Sequence, residues 1–125
     1  MQLLLLVLGP AAAEEPVARL SLLRLRDFML PTLSGTTPHL NLLPSILQAV
    51  DPELQKYMAP TEPFFALSAT LTMYAHDIEE FSDITRLFDF LLAHEAAMAV
   101  YLYAAVSSSR RRASPACAVI PGSPR

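Results

Sequence analysis

The stretch YAHDIEEFSDITRLFDFLLAH, from Tyr74 to His94, gathers His76, Asp77, Glu79, Glu80, Asp83, Asp89 and His94 within nineteen positions. Imidazoles and carboxylates at that density suit a divalent metal or general acid–base catalysis. A metal site on a helix needs ligands three or four residues apart on one face. Asp77 with Glu80, and His76 with Glu80, meet that spacing. The context argues the other way. The segment joins the end of one apolar run to the start of the next, where carboxylates ordinarily complement the positive end of a helix dipole. His76 to Asp83 therefore reads as a solvated acidic loop.

Asp89 stands apart, because Leu87, Phe88, Phe90, Leu91 and Leu92 around it are all apolar. It is either an acid–base carboxylate or an anchor for helix packing, and Arg86, three residues earlier, is within reach as an i, i+3 ion pair. No second carboxylate, nucleophile or glycine-rich phosphate loop stands beside it, so the packing role is expected. His94 ends the same run, where a cationic side chain complements the dipole. His39 follows Pro38 at a helix start and reads as a surface residue. Ser107 to Ser109 have no positioned base to activate them. Cys117 is the single cysteine, so neither an internal disulfide nor a CxxC zinc pair can form. No catalytic residue, cofactor-binding residue or metal ligand is expected.

The elements that position these residues are helical. Three glycines against eleven prolines leave few tight turns, and the prolines separate apolar runs of helical spacing. Leu3–Leu8 stops at Gly9-Pro10, a glycine-then-proline ending. Val17, Leu20, Leu23 and Phe28 space out an amphipathic helix from Pro16 to Met29. Leu40, Leu43, Leu47 and Val50 form another, with Pro44 in or near its first turn. Asp51-Pro52-Glu53 is a strong start signal, with Asp as N-cap and Pro at the first helical position. Glu62-Pro63 opens a run apolar nearly all round, through Phe64, Phe65, Leu67, Leu71, Met73 and Tyr74, suited to the centre of a bundle. Ser82 can cap the next helix, whose inward face is Ile84, Leu87, Phe88, Leu91 and Leu92. A last helix spans about 96–106. The expectation is an all-α bundle of five to six helices over residues 1–106, followed by a disordered basic tail at 107–125.

Charge narrows the partners. All twelve Asp and Glu lie between Glu14 and Glu95, opposed there by only five Arg and Lys. Nucleic-acid binders concentrate positive charge on the folded face, so nucleic acid is not an expected partner. Arg110 to Arg112 make a short polybasic run, weak as a membrane signal. No apolar stretch approaches the roughly 20 residues of a membrane-spanning helix. MQLLLLVLGPAAAEE has the small residues of a signal peptide but no basic leader; the competing reading is a helix end.

Four segments, LRDFMLPTL (25–33), DPELQKYM (51–58), FALSATLTMYAHDIEEF (65–81) and RLFDFLLAH (86–94), occur in an order and spacing that resembles the C-terminal half of a TBC domain. That domain is the all-helical GTPase-activating module for Rab GTPases, and the subgroup most similar is associated with the endoplasmic reticulum. The similarity covers about residues 2–106. RLFDF is similar to the family's Arg-hydrophobic-aromatic-Asp signature, which places Arg86 and Asp89 as signature residues with a structural role. It also implies that Leu3–Leu8 is the tail of an interrupted helix.

The resemblance implies a GTP-bound Rab-type GTPase as partner, at the cytosolic face of endoplasmic reticulum or Golgi membranes, in vesicle traffic between them. The family accelerates hydrolysis with an arginine in Ile-x-x-Asp-x-x-Arg and a glutamine in Tyr-x-Gln. Neither motif occurs in this chain, and by the resemblance both belong to a preceding, N-terminal half of the domain. Arg24 and Arg26 do not inherit the role by residue type. Where the family carries tryptophans, Ala69 and Met73 stand. The expectation is a Rab-GAP fragment inactive alone; the alternative is a non-catalytic helical protein that binds a Rab or another helical partner.

Overall fold

Gly9 adopts φ +76° and turns the chain between α1 (Gln2–Leu8) and α2 (Pro10–Leu20), with Pro10 opening the second helix. A left-handed φ is nearly free for glycine and costly for other residues, so Gly9-Pro10 acts as the sequence predicts. The computed structural model describes residues 2–113, and every regular element among them is helical. The predicted all-α class therefore holds, divided more finely than five or six helices.

α2 begins at Pro10, not at Pro16, and carries Pro16 inside it. Alanine and glutamate are strong helix formers, and Ala11–Glu15 carry the helix through the missing proline N–H. A π turn (Ser21–Leu25) and a 3-10 turn (Arg26–Met29) extend the helical path. α3 (Thr36–Leu40) and α4 (Leu42–Val50) meet at Asn41, with Pro44 in the first turn of α4. α5 (Pro52–Met58) starts on the Asp51 cap, whose carboxylate accepts the Leu54 N–H at 3.1 Å.

The apolar run after Glu62 divides into a 3-10 turn (Pro63–Ala66) and the short α6 (Leu67–Leu71). It ends where Met73 and Tyr74 take φ 51° and 63°. Such left-handed conformations cost about 1–2 kcal/mol per residue. They persist because both side chains are buried and the Tyr74 hydroxyl donates to the Ala99 carbonyl at 2.7 Å.

α7 (Phe81–Ala93) starts one residue before Ser82, and no side chain caps it; its N-cap is Glu80. α8 (Met98–Ala113) passes through Val106, where the sequence reading placed the start of a disordered tail. Its buried residues Val100, Ala104 and Ser108 recur every fourth position, so the inward stripe continues into the serines and arginines. Residues 114–125 of the predicted tail lie outside the described residues.

Two apolar clusters form the core. One joins Leu3 and Leu20 to Ala69, Met73 and Tyr74 and to Ile84, Phe88 and Leu91 of α7. The other gathers Leu40, Leu43, Leu47, Leu54, Met58 and Ala66 against Val100 and Ala104 of α8. Tyr103 packs against both and connects them. Phe64 and Leu71 remain exposed, so the run apolar nearly all round is only partly central.

Candidate functional site

The polar side chain most deeply engaged is Asp51, 3% exposed at the junction of α4 and α5. Besides capping α5, it receives two hydrogen bonds from Arg111, Nη2 to Oδ1 at 2.7 Å and Nε to Oδ2 at 2.9 Å. The Ser108 hydroxyl donates to Oδ2 at 3.1 Å. The second guanidinium nitrogen reaches Glu53 at 2.9 Å. Bidentate guanidinium–carboxylate pairs are strong because both planar groups match in shape and charge. The Arg111 hydrogen bonds hold the Asp51 carboxyl below the usual carboxylate range, aided by the Leu54 amide and opposed by burial. The same bonds raise the Arg111 guanidinium further. Sequence reasoning found the cap and missed the clamp. The available signal was the spacing of Ser108 and Arg111 on the same four-residue stripe as Val100 and Ala104.

Arg24 closes the end of α7. Its guanidinium donates to the Leu92 carbonyl at 3.0 Å and also to the His94 carbonyl. These acceptors belong to the unsatisfied set at a helix C-terminus. Arg24 thus supplies, from the π turn, the cationic complement expected of His94. The His94 ring instead donates from Nδ1 to the Phe90 carbonyl at 2.7 Å and lies against the Phe90 ring, centroids 4.3 Å apart. Arg26 makes a looser pair with Asp27 at 3.5 Å.

His39 is a bridging residue more than a surface one. Its Nε2 donates to Asp27 Oδ2 at 3.1 Å, and its ring stacks on Phe28 at a centroid distance of 5.8 Å. The hydrogen bond from His39 lowers the Asp27 carboxyl from its ordinary range. Gly35 completes the contact: a Cβ there would lie 2.6 Å from the Asp27 carbonyl oxygen and 2.8 Å from Leu30 Cδ1. Only glycine lets the loop before α3 approach the 3-10 turn so closely.

The acidic stretch is a surface. His76, Asp77, Glu79, Glu80, Asp83 and Asp89 are all exposed. Among the described residues, no three His, Cys, Asp or Glu side chains converge on a point that could hold a metal ion. Arg86 and Asp89 both face solvent on α7. No ion pair joins them or ties either one to another described residue, in contrast to the i, i+3 pair expected. In water such a pair gains little and must order two side chains. Ser107 and Ser109 make no side-chain hydrogen bond among the described residues, whereas Ser108 is bound to Asp51.

Chemically, these assemblies are fastenings. The carboxylates with named partners bind cations or caps, and the engaged arginines are spent on carboxylates and helix ends. What remains open is surface: the acidic loop, the outer face of α7, and an apolar strip at the start of the chain. In that strip Leu6, Leu22, Leu23 and Met29 are each about two-thirds or more exposed. Among the described residues no helix is long and apolar enough to cross a membrane.

Known proteins carry the same sequence pattern. The GTPase-activating protein gyp10 of Schizosaccharomyces pombe is 41% identical over 112 residues, which cover 88% of this chain and 30% of gyp10. TBC1 domain family member 20 of Bos taurus is 41% identical over 104 residues, covering 82% of this chain and 26% of the relative. The Homo sapiens protein of that name is 40% identical over the same length. The chain thus spans less than a third of the length of the curated relatives it matches. The pattern that defines the Rab-GTPase-TBC domain matches residues 3–113, through to the last described turn of α8. The chain belongs to the Rab-GTPase-TBC domain family.

Proposed function

We propose that this chain is the scaffold share of a Rab GTPase-activating domain: it helps to shape the surface that receives a GTP-bound Rab, and it does not itself supply the catalytic fingers. The observation that carries the reading is the family match from residue 3 to residue 113. The catalytic motifs expected of the family, Ile-x-x-Asp-x-x-Arg and Tyr-x-Gln, are not in the sequence, and Arg24 and Arg26 are occupied with carbonyls and Asp27. An arginine finger is worth about 10³–10⁵ in rate, so the chain alone leaves hydrolysis at its intrinsic level. The preceding half of the domain is the partner that would complete it. Arg86 and Asp89 act in this reading as surface residues of the signature helix. The site of action is the cytosolic face of endoplasmic reticulum or Golgi membranes, in vesicle traffic.

The test is single-turnover GTP hydrolysis by a panel of purified Rab GTPases. The chain is assayed alone and then fused behind the segment that precedes the matched region in gyp10. No acceleration alone and strong acceleration by the fusion is the expected pair of results. Acceleration by the chain alone overturns the assignment of the fingers, and an inert fusion overturns the scaffold role.

A second reading, a helical protein that binds a Rab or another helical partner without catalysis, is favoured by the exposed Leu6, Leu22 and Leu23. Exposed apolar surface of this kind marks interaction sites. Its signature is Rab binding that leaves the hydrolysis rate unchanged in both forms.

A further inference from the structure

α7 buries Ile84, Phe88 and Leu91 and turns a second face fully outward. At 3.6 residues per turn, Ser82, Asp83, Arg86, Asp89, Phe90 and Ala93 share that outer face, and all six are exposed. Its charges run acid, base, acid, and neither Arg86 nor Asp89 has an ion-pair partner among the described residues. An alternating strip of this kind is complementary to itself when reversed. Two parallel copies in register set like charge on like charge. Two antiparallel copies set unlike charges together.

We propose that a second copy of this chain docks on the outer face of α7, the two helices antiparallel, with each Arg86 against the partner's Asp89. A two-fold axis makes every contact twice, so one sequence pattern provides two ion pairs. The same register carries further support. Aligning position 86 with position 89 also aligns Ser82 with Ala93, two small residues that allow the helices to approach at both ends of the seam. Phe90, 41% exposed and backed by the His94 ring, gives the centre an apolar contact beside each arginine. Aromatic residues and arginine are the side chains most enriched in such interface centres. The charge pattern selects a second copy over an unrelated partner because the required complement lies on the helix itself.

The experiment is mass determination by light scattering and sedimentation on the full 125-residue chain, with circular dichroism to confirm helix content. The wild-type chain is expected at twice its 13.7 kDa mass. Arg86→Asp alone and Asp89→Arg alone each place like charges together twice and should run at the single-chain mass. An equimolar mixture of those two variants restores both pairs across a mixed dimer, so the doubled mass should return. Pairing within one chain cannot give that rescue. A wild-type monomer overturns the proposal, as does a doubled or larger mass that survives in either single variant, or a mixture that stays monomeric.

Discussion

Replacing Asp51 with alanine should cost the fold about 2–4 kcal/mol, a loss that can be worked from the clamp. The substitution removes the cap on the Leu54 amide, typically about 1 kcal/mol. It leaves the Ser108 hydroxyl, 3% exposed, without its acceptor, and a stranded buried polar group costs about 1–3 kcal/mol. The guanidinium adds less than a fully buried charge would, because the Arg111 side chain is 31% exposed and water can take it up. At roughly 4 °C per kcal/mol for a chain of this size, the melting temperature should fall by about 8–16 °C. Thermal melts followed by circular dichroism read this directly. Asp51→Asn keeps a competent cap and should recover part of the loss. Asp51→Ala combined with Arg111→Ala should lose less than the two single changes summed, because both act on one network. The acid limb follows with its sign. Asp51 has a lowered folded pKa, so its contribution is complete above its ordinary value of 3.8 and disappears as pH falls below it; Asp51→Asn should flatten that limb. A fall in melting temperature under about 3 °C for Asp51→Ala, or strictly additive losses, would refute the clamp.

Burial, followed by the charges of Tyr103 and Asp77, raises the Tyr74 phenol above its ordinary value of 10.0. A raised folded pKa gives stability that is complete below that value and is lost as the pH rises past it, once the unfolded phenol ionises. Unfolding free energy should therefore decline above about pH 10, and Tyr74→Phe should shrink the decline while costing about 1 kcal/mol at neutral pH for the lost bond to the Ala99 carbonyl. Gly35→Ala, with its new Cβ 2.6 Å from the Asp27 carbonyl oxygen, should destabilise by about 1–3 kcal/mol in denaturant titration.

Local signals were legible in the sequence and distant ones were not. Gly9-Pro10 and Asp51-Pro52-Glu53 carry their geometry within three residues, and both turned out as read. The helix class followed from periodicity. Pro16 misled because the propensity of the preceding alanines and glutamates outweighed one lost hydrogen bond. Ser82 fits a cap in composition, yet the chain entered α7 a residue earlier. The extension of α8 was hidden because SSSRRR looks solvated until Asp51 is known to face it. Arg24 was hidden in the same way, since its acceptors at Leu92 and His94 lie far along the chain. At the candidate surface, the sequence marked Arg86 and Asp89 by their family pattern, but only the coordinates set both on the outside of α7.

The clamp also sets a timetable. Asp51 leaves the ribosome sixty positions ahead of Arg111, and at about 5–20 residues per second that interval is roughly 3–12 s. Throughout it the carboxylate has its cap but no counter-charge, and burying it then would carry the full penalty of an unpaired ion. The corner of α4 and α5 is therefore held in water while the chain is being made. The packing of Leu43 and Leu47 against Val100 and Ala104 must wait for the arginine run of α8 to emerge. The order of synthesis thus makes this cluster the last to close, and the nascent protein most exposed to chaperones and proteases in its final seconds.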